Sequence, residues 1–156
     1  MKPVFAAALL GLSTLPAGAE VKEQHVVVGD WQVWIEPVDP LELLFVGRNE
    51  FERDQLLSGG DLEVVGMVAD ADDVALLGMP AIVVETPGTQ SCDDIDAVAR
   101  DYYVISFDGA PRLSTPAMTC ADLTLSVTNG MLVLEADPMG VGEFWSWTPE
   151  AGFVLR

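Results

Sequence analysis

Apolar and polar residues alternate with a period of two along much of the chain, the spacing of half-buried β-strands. The pattern is clearest in Leu123-Thr124-Leu125-Ser126-Val127-Thr128, then Asn129-Gly130, then Met131-Leu132-Val133-Leu134-Glu135-Ala136. Asn-Gly between two alternating runs predicts a two-residue type I′ turn, because both central residues need positive φ. Such a turn dictates the register. It sets Val127 opposite Leu132, Leu125 opposite Leu134 and Leu123 opposite Ala136 on one face. The other face receives Thr128 with Met131, Ser126 with Val133 and Thr124 with Glu135. A slip of one residue would turn the leucines toward solvent.

Residues 25–36 also read as strand, with Trp31, Val33 and Ile35 alternating with Gln32, Trp34 and Glu36. Gly29-Asp30 marks a bulge or a turn within that run. Residues 61–69, 81–85 and 102–107 read as strands, the second buried and ended by a Thr86-Pro87-Gly88-Thr89 turn. Asp108-Gly109 turns the chain back into residues 112–115, which Pro111 confines to an edge or a bulge. Residues 144–148 and 153–156 form the last pair. A four-residue loop between them sets Trp147 opposite Val154 and Trp145 opposite Arg156.

Helix starts are signalled in two places. Asp39-Pro40-Leu41-Glu42 offers a cap, a first-position proline and a capping-box glutamate, with Gly47 as a stop. The apolar run 41–46 fits a strand as well. Asn49, Glu50 and Glu52 open a second helix that Gly59-Gly60 ends, with Phe51, Gln55, Leu56 and Leu57 as a thin apolar stripe. Residues 70–73 read as a polar connection, 74–79 as apolar but ambiguous, 92–100 as irregular or helical, and 137–142 as a loop. The expected fold is mainly β: an antiparallel sheet or sandwich of short hairpin-connected strands, with one or two short helices in the N-terminal half.

The first nineteen residues follow a different logic. Lys2 supplies a minimal positive start, residues 4–12 are apolar, and Pro16 precedes the small-x-small triplet Ala17-Gly18-Ala19. This is the pattern of a signal peptide cleaved before Glu20. Gly11, Ser13, Thr14 and Pro16 interrupt the run well short of the about 20 apolar residues a membrane anchor needs. The expectation is therefore a periplasmic or secreted chain, with residues 20–156 as a single β-rich domain and no further span.

Charge narrows the partners. The chain carries 25 acidic residues against 7 basic ones, a formal charge of −18, and half of it is hydrophobic, which excludes disorder as the cause. Nucleic acid and anionic membrane surfaces would repel it, since both reward Lys and Arg. Two cysteines in an exported chain, Cys92 and Cys120, predict one disulfide. The loop it closes is of a size for which the chain-entropy argument assigns roughly 3–4 kcal/mol.

Catalytic sets are hard to assemble from these residues. His25 is the only histidine and stands beside no serine motif, so an ordinary strand histidine outweighs a general base. No nucleotide-binding glycine loop or zinc set is present in the sequence, and no cofactor is implied. Paired carboxylates are so easily nominated among 25 acids that no one pair stands out for glycan hydrolysis. Asp70, Asp72 and Asp73 are the candidate calcium ligands, but an EF-hand loop opened at Asp70 would put Ala75 and Ala81 where it needs glycine and glutamate. Solvated acidic turns account for this cluster and for Asp93, Asp94 and Asp96. The tryptophans read as core or as an aromatic binding face. The expectation is a non-catalytic module whose candidate surface is Trp34, Trp145 and Trp147 with Asp93, Asp94 and Asp96. It would bind a cationic protein as an inhibitor or an envelope-assembly factor. The alternative is an exported glycan hydrolase using two carboxylates.

Overall fold

The apolar run at residues 81–84 lies in the central sheet, whereas the alternating run at residues 123–128 lies in an outer one. The computed structural model describes residues 23–93, 98–136 and 144–156, which form three antiparallel sheets. β1 (Gln24–Val28), β2 (Trp31–Val38), β3 (Leu41–Asn49) and β4 (Glu52–Gly59) make an N-terminal sheet in chain order. A central sheet contains β5 (Glu63–Val68), β6 (Ala81–Ser91), β7 (Val98–Ser106) and the short β8 (Arg112–Leu113), and β9 (Ala117–Thr119) also pairs with β7. β10 (Leu123–Thr128), β11 (Met131–Ala136), β12 (Phe144–Thr148) and β13 (Gly152–Leu155) make a C-terminal sheet. The helix α1 (Ala71–Leu77) joins β5 to β6. The expected leader with its cleavage site, the 137–142 loop, Asp94 and Asp96 lie outside the described residues.

Two cores flank the central sheet. Ile82 and Val84 of β6 and Ile105 of β7 face the N-terminal sheet, where they meet Val28, Val33, Ile35, Leu44 and Val46. Ala81 and Val83, with Tyr102 and Val104, face the other way onto Leu132, Leu134, Trp147 and the helix residue Leu77. The apolar run Ala81-Ile82-Val83-Val84 is therefore buried on both faces, so it shows no alternation.

The Asn129-Gly130 hairpin has the predicted register at every pair, from Thr128 opposite Met131 to Leu123 opposite Ala136. Both turn residues take positive φ, 44° and 77°. The Gly130 N–H also donates to the Leu76 carbonyl at 2.9 Å, satisfying one of the carbonyls that a helix C-terminus leaves open. Cys92, just after β6, is bonded to Cys120, just after β9, across a separation of 28 residues. Gly29-Asp30 is a turn, with β1 pairing antiparallel to β2.

Several local expectations are corrected, among them residues 98–100, which open β7 instead of ending an irregular or helical segment. The helix starts at Asp39 and Asn49 are hairpin turns: Asp39-Pro40, a cis peptide, links β2 to β3, and Glu50-Phe51 links β3 to β4. In β3, Leu44 and Val46 point into the first core while Leu43 and Phe45 remain half-exposed, a two-residue period that pairing on both sides selects over a helix. Gly47 is a close backbone approach, since a Cβ there would lie 2.2 Å from the Glu52 carbonyl oxygen. The Thr86-Pro87-Gly88-Thr89 segment does not end β6, which continues to Ser91 through a register irregularity. Residues 70–73 start the helix: Asp70 caps it, accepting from the Asp73 N–H at 2.9 Å, and Gly78 ends it at φ +93°. Finally, the last hairpin has Trp147 opposite Phe153 and Trp145 opposite Leu155, one residue from the expected register. Gly152, at φ +66°, pairs with Thr148 and shortens the loop to three residues.

Candidate functional site

The outer face of the N-terminal sheet carries a side-chain arrangement built by cross-strand register. Alternation in β2 sends Val33 and Ile35 inward and leaves Trp34 and Glu36 on the outer face. His25 lies opposite Trp34 on one side and Phe45 opposite it on the other, giving a row across three strands. The His25 and Trp34 rings stack at 5.3 Å between centroids and 8° between planes. Arg53 reaches back from β4, its guanidinium 4.4 Å from the Phe45 centroid and 5.4 Å from that of Trp34. The same guanidinium forks onto both carboxylate oxygens of Glu36. His25 Nε2 lies 3.0 Å from Gln32 Oε1, and Gln32 in turn donates to the Arg48 carbonyl at 3.0 Å. Trp34 thus has His25 on one flank and Arg53 on the other.

At one end of this sheet the β3–β4 turn projects Phe51, 89% exposed. Asn49 organises the turn: its Oδ1 accepts from the N–H groups of Phe51 at 2.9 Å and Glu52 at 3.0 Å, and its Nδ2 donates to Glu52 Oε2 at 3.3 Å. The neighbouring β1–β2 turn adds Asp30, 3.6 Å from Arg48, whose guanidinium also lies 4.4 Å from the Trp31 ring.

Two clefts bear on catalysis. One of about 470 Å³ beside the disulfide is lined by Asp61, Glu85, Arg100 and Asp122 with Pro87, Val98 and Cys120. Arg100 bridges Glu85 and stands 3.6 Å from Asp122. A cation therefore sits where a glycosidase keeps a gap for the sugar oxygen or water. Burial tends to lower the Arg100 pKa, but the charges of Glu85 and Asp122 outweigh it and hold the group above its ordinary value. Burial, then Glu85, pushes the Tyr102 hydroxyl up to about 12. The other cleft, about 240 Å³ between the central and C-terminal sheets, holds Ser106, Asp108, Arg112, Ser114 and Trp147, with one carboxylate and no histidine.

The residues nominated from sequence do not form one face. Trp34 belongs to the outer row just described. Trp147, 3% exposed, is second-core packing, and half-buried Trp145 packs against the same core, edge-on to Phe153 at 6.2 Å. Asp93 is exposed at the end of the central sheet. Of the calcium candidates, Asp70 is engaged as a helix cap. The Asp73 N–H first of all, and then its carboxyl, hold Asp70 below the ordinary carboxylate range. The hydrogen bond to Asp70 and then burial raise Asp73. No group of three or more His, Cys, Asp or Glu among the described residues is placed to hold a metal ion. The alternation of β2 marks Trp34 as outward, but Phe45, Arg53 and Phe51 lie where the sequence reads as helix, so their place on this face needed the pairing of β3 with β4. No protein-family model matches the chain, and neither a curated protein nor a solved structure matches it.

Proposed function

We propose that the chain is an exported, non-catalytic protein-binding module that docks through an acidic surface onto a cationic protein, as an inhibitor or an envelope-assembly factor. The observation that carries this reading is how the arginines are used. Arg53 is tied to Glu36, Arg100 to Glu85 and Asp122, and Arg48 to Asp30. Few positive groups are left to interrupt a surface bearing acids on all three sheets. Electrostatic complementarity of this kind speeds encounter and selects partners more than it adds affinity. The disulfide supports export, because such bonds persist in oxidising compartments. Among the described residues no helix is long and apolar enough to cross a membrane.

The test is affinity capture of basic exported proteins from the source cells on the immobilised protein, as salt rises from about 0.1 M to about 1 M and the screening length falls from about 10 Å to about 3 Å. The expected result is a partner retained at low salt and released as salt rises. An identical set of retained proteins at both ends of the range would overturn the reading.

A further inference from the structure

We propose that Phe51 is the anchor of the docking surface, seating in an apolar pocket rimmed by lysine or arginine on a folded basic protein. The inference rests on the reading of the chain as a module for a cationic partner, and adds where the contact is made. Every other phenylalanine, tyrosine and tryptophan among the described residues is buried or half-buried, whereas Phe51 stands in solvent. A hairpin tip has no packing need for a phenylalanine, and a polar residue would serve the turn equally well.

The exposure is not looseness of the backbone beneath. The three Asn49 hydrogen bonds fix the turn, and the two strands leaving it are pinned within one or two residues. On one side the Gly47 backbone lies against the Glu52 carbonyl, and on the other Arg53 forks onto Glu36. An anchor already held in place loses less freedom on binding. Buried aromatic side chains also dominate the energetics of protein interfaces. The charges around the tip select the rim it fits. Glu50 and Glu52 flank Phe51 directly, and the two arginines nearest the tip are each paired with another acid, Arg48 with Asp30 and Arg53 with Glu36, so the two glutamates set the sign of the charge there. A lysine- or arginine-rimmed pocket is attracted to that end of the sheet, while an anionic lipid surface or a second copy of this acidic chain is repelled.

The test places a photoreactive benzoylphenylalanine at position 51 and irradiates the protein with exported proteins retained on a sulfonate cation exchanger. One protein should be labelled, on a peptide that lines an apolar pocket bordered by Lys or Arg. Excess wild type should suppress the labelling, and Phe51→Ser should not. Phe51→Ser should melt with wild type, because the side chain touches no core, yet bind the labelled partner roughly 30-fold more weakly, the size of an interface hot spot. Asn49→Ala, which keeps the ring and frees the turn, should lie between the two. A partner held equally by Phe51→Ser and still released by salt would leave the docking surface standing and remove the anchor. No retained partner for wild type would remove both. Labelling of a second copy of the chain, or Phe51-dependent sedimentation with equimolar phosphatidylcholine–phosphatidylglycerol vesicles, would replace the proposed partner. Asn49→Ala binding as tightly as wild type would overturn the held-turn argument.

Discussion

Tyr102 lies in the second core, and the burial that raises its pKa to about 12 links one hydroxyl to the stability of the whole chain. In the unfolded chain the group titrates near 10. A folded pKa above the unfolded one means that its contribution is complete below about pH 10 and is lost as pH rises through about 12. Thermal melts at intervals across that window should therefore fall more steeply for wild type than for Tyr102→Phe, which cannot ionise; parallel curves would refute the assignment. Gly47 makes a different demand. An alanine Cβ there would be driven into backbone rather than into a flexible side chain, with Glu52 O at 2.2 Å and Arg53 Cα at 2.7 Å. Gly47→Ala is expected to separate β3 from β4, with a large drop in melting temperature and loss of the Phe51-dependent binding. Circular dichroism together with the binding assay would check both.

Among the strands and hairpins, two tryptophans of similar sequence pattern have different duties. Trp147 is enclosed by the central sheet and the helix, so Trp147→Ala should cost about 3–5 kcal/mol in denaturant titrations. Trp34 contributes cross-strand contacts with His25 and Arg53 on an outer face, and Trp34→Ala should cost about 1 kcal/mol. Equal losses would mean that the outer row is itself a core. Turn chemistry explains which hairpins were legible. Asn129-Gly130 admits one loop length, whereas the last hairpin lies one residue from its expected register because Gly152 belongs to the closing pair rather than to the loop. The helix is not legible in the sequence because seven residues give too few apolar repeats. Its remaining signals, the Asp70 cap and the Gly78 stop, resemble those of any polar turn.

Across the whole molecule, the central sheet serves two cores at once, and the disulfide joins the end of β6 to the segment leaving β9. Replacing Cys92 and Cys120 together by serine should lower stability by roughly 3–4 kcal/mol, the entropy of closing that loop in the unfolded chain. The change should leave the Phe51 turn intact, since the turn lies on the N-terminal sheet, away from the bond. Denaturant midpoints and the labelling experiment would separate these two effects.

Period-two alternation, Asn-Gly turn chemistry and the pairing of two cysteines are local or combinatorial properties, so the sequence alone determined the β class, one complete hairpin register and the disulfide. Residues 41–59 were different. Their capping signals and short apolar runs suit a helix as well as a strand, and the choice turned on β3 finding partners on both sides. Only the tertiary structure decided that Trp147 is core, that Trp34 is flanked by His25 and Arg53, and that Phe51 stands out in solvent. Each depends on which strands become neighbours, and that is set by burying apolar surface between layers rather than by any residue's own preference.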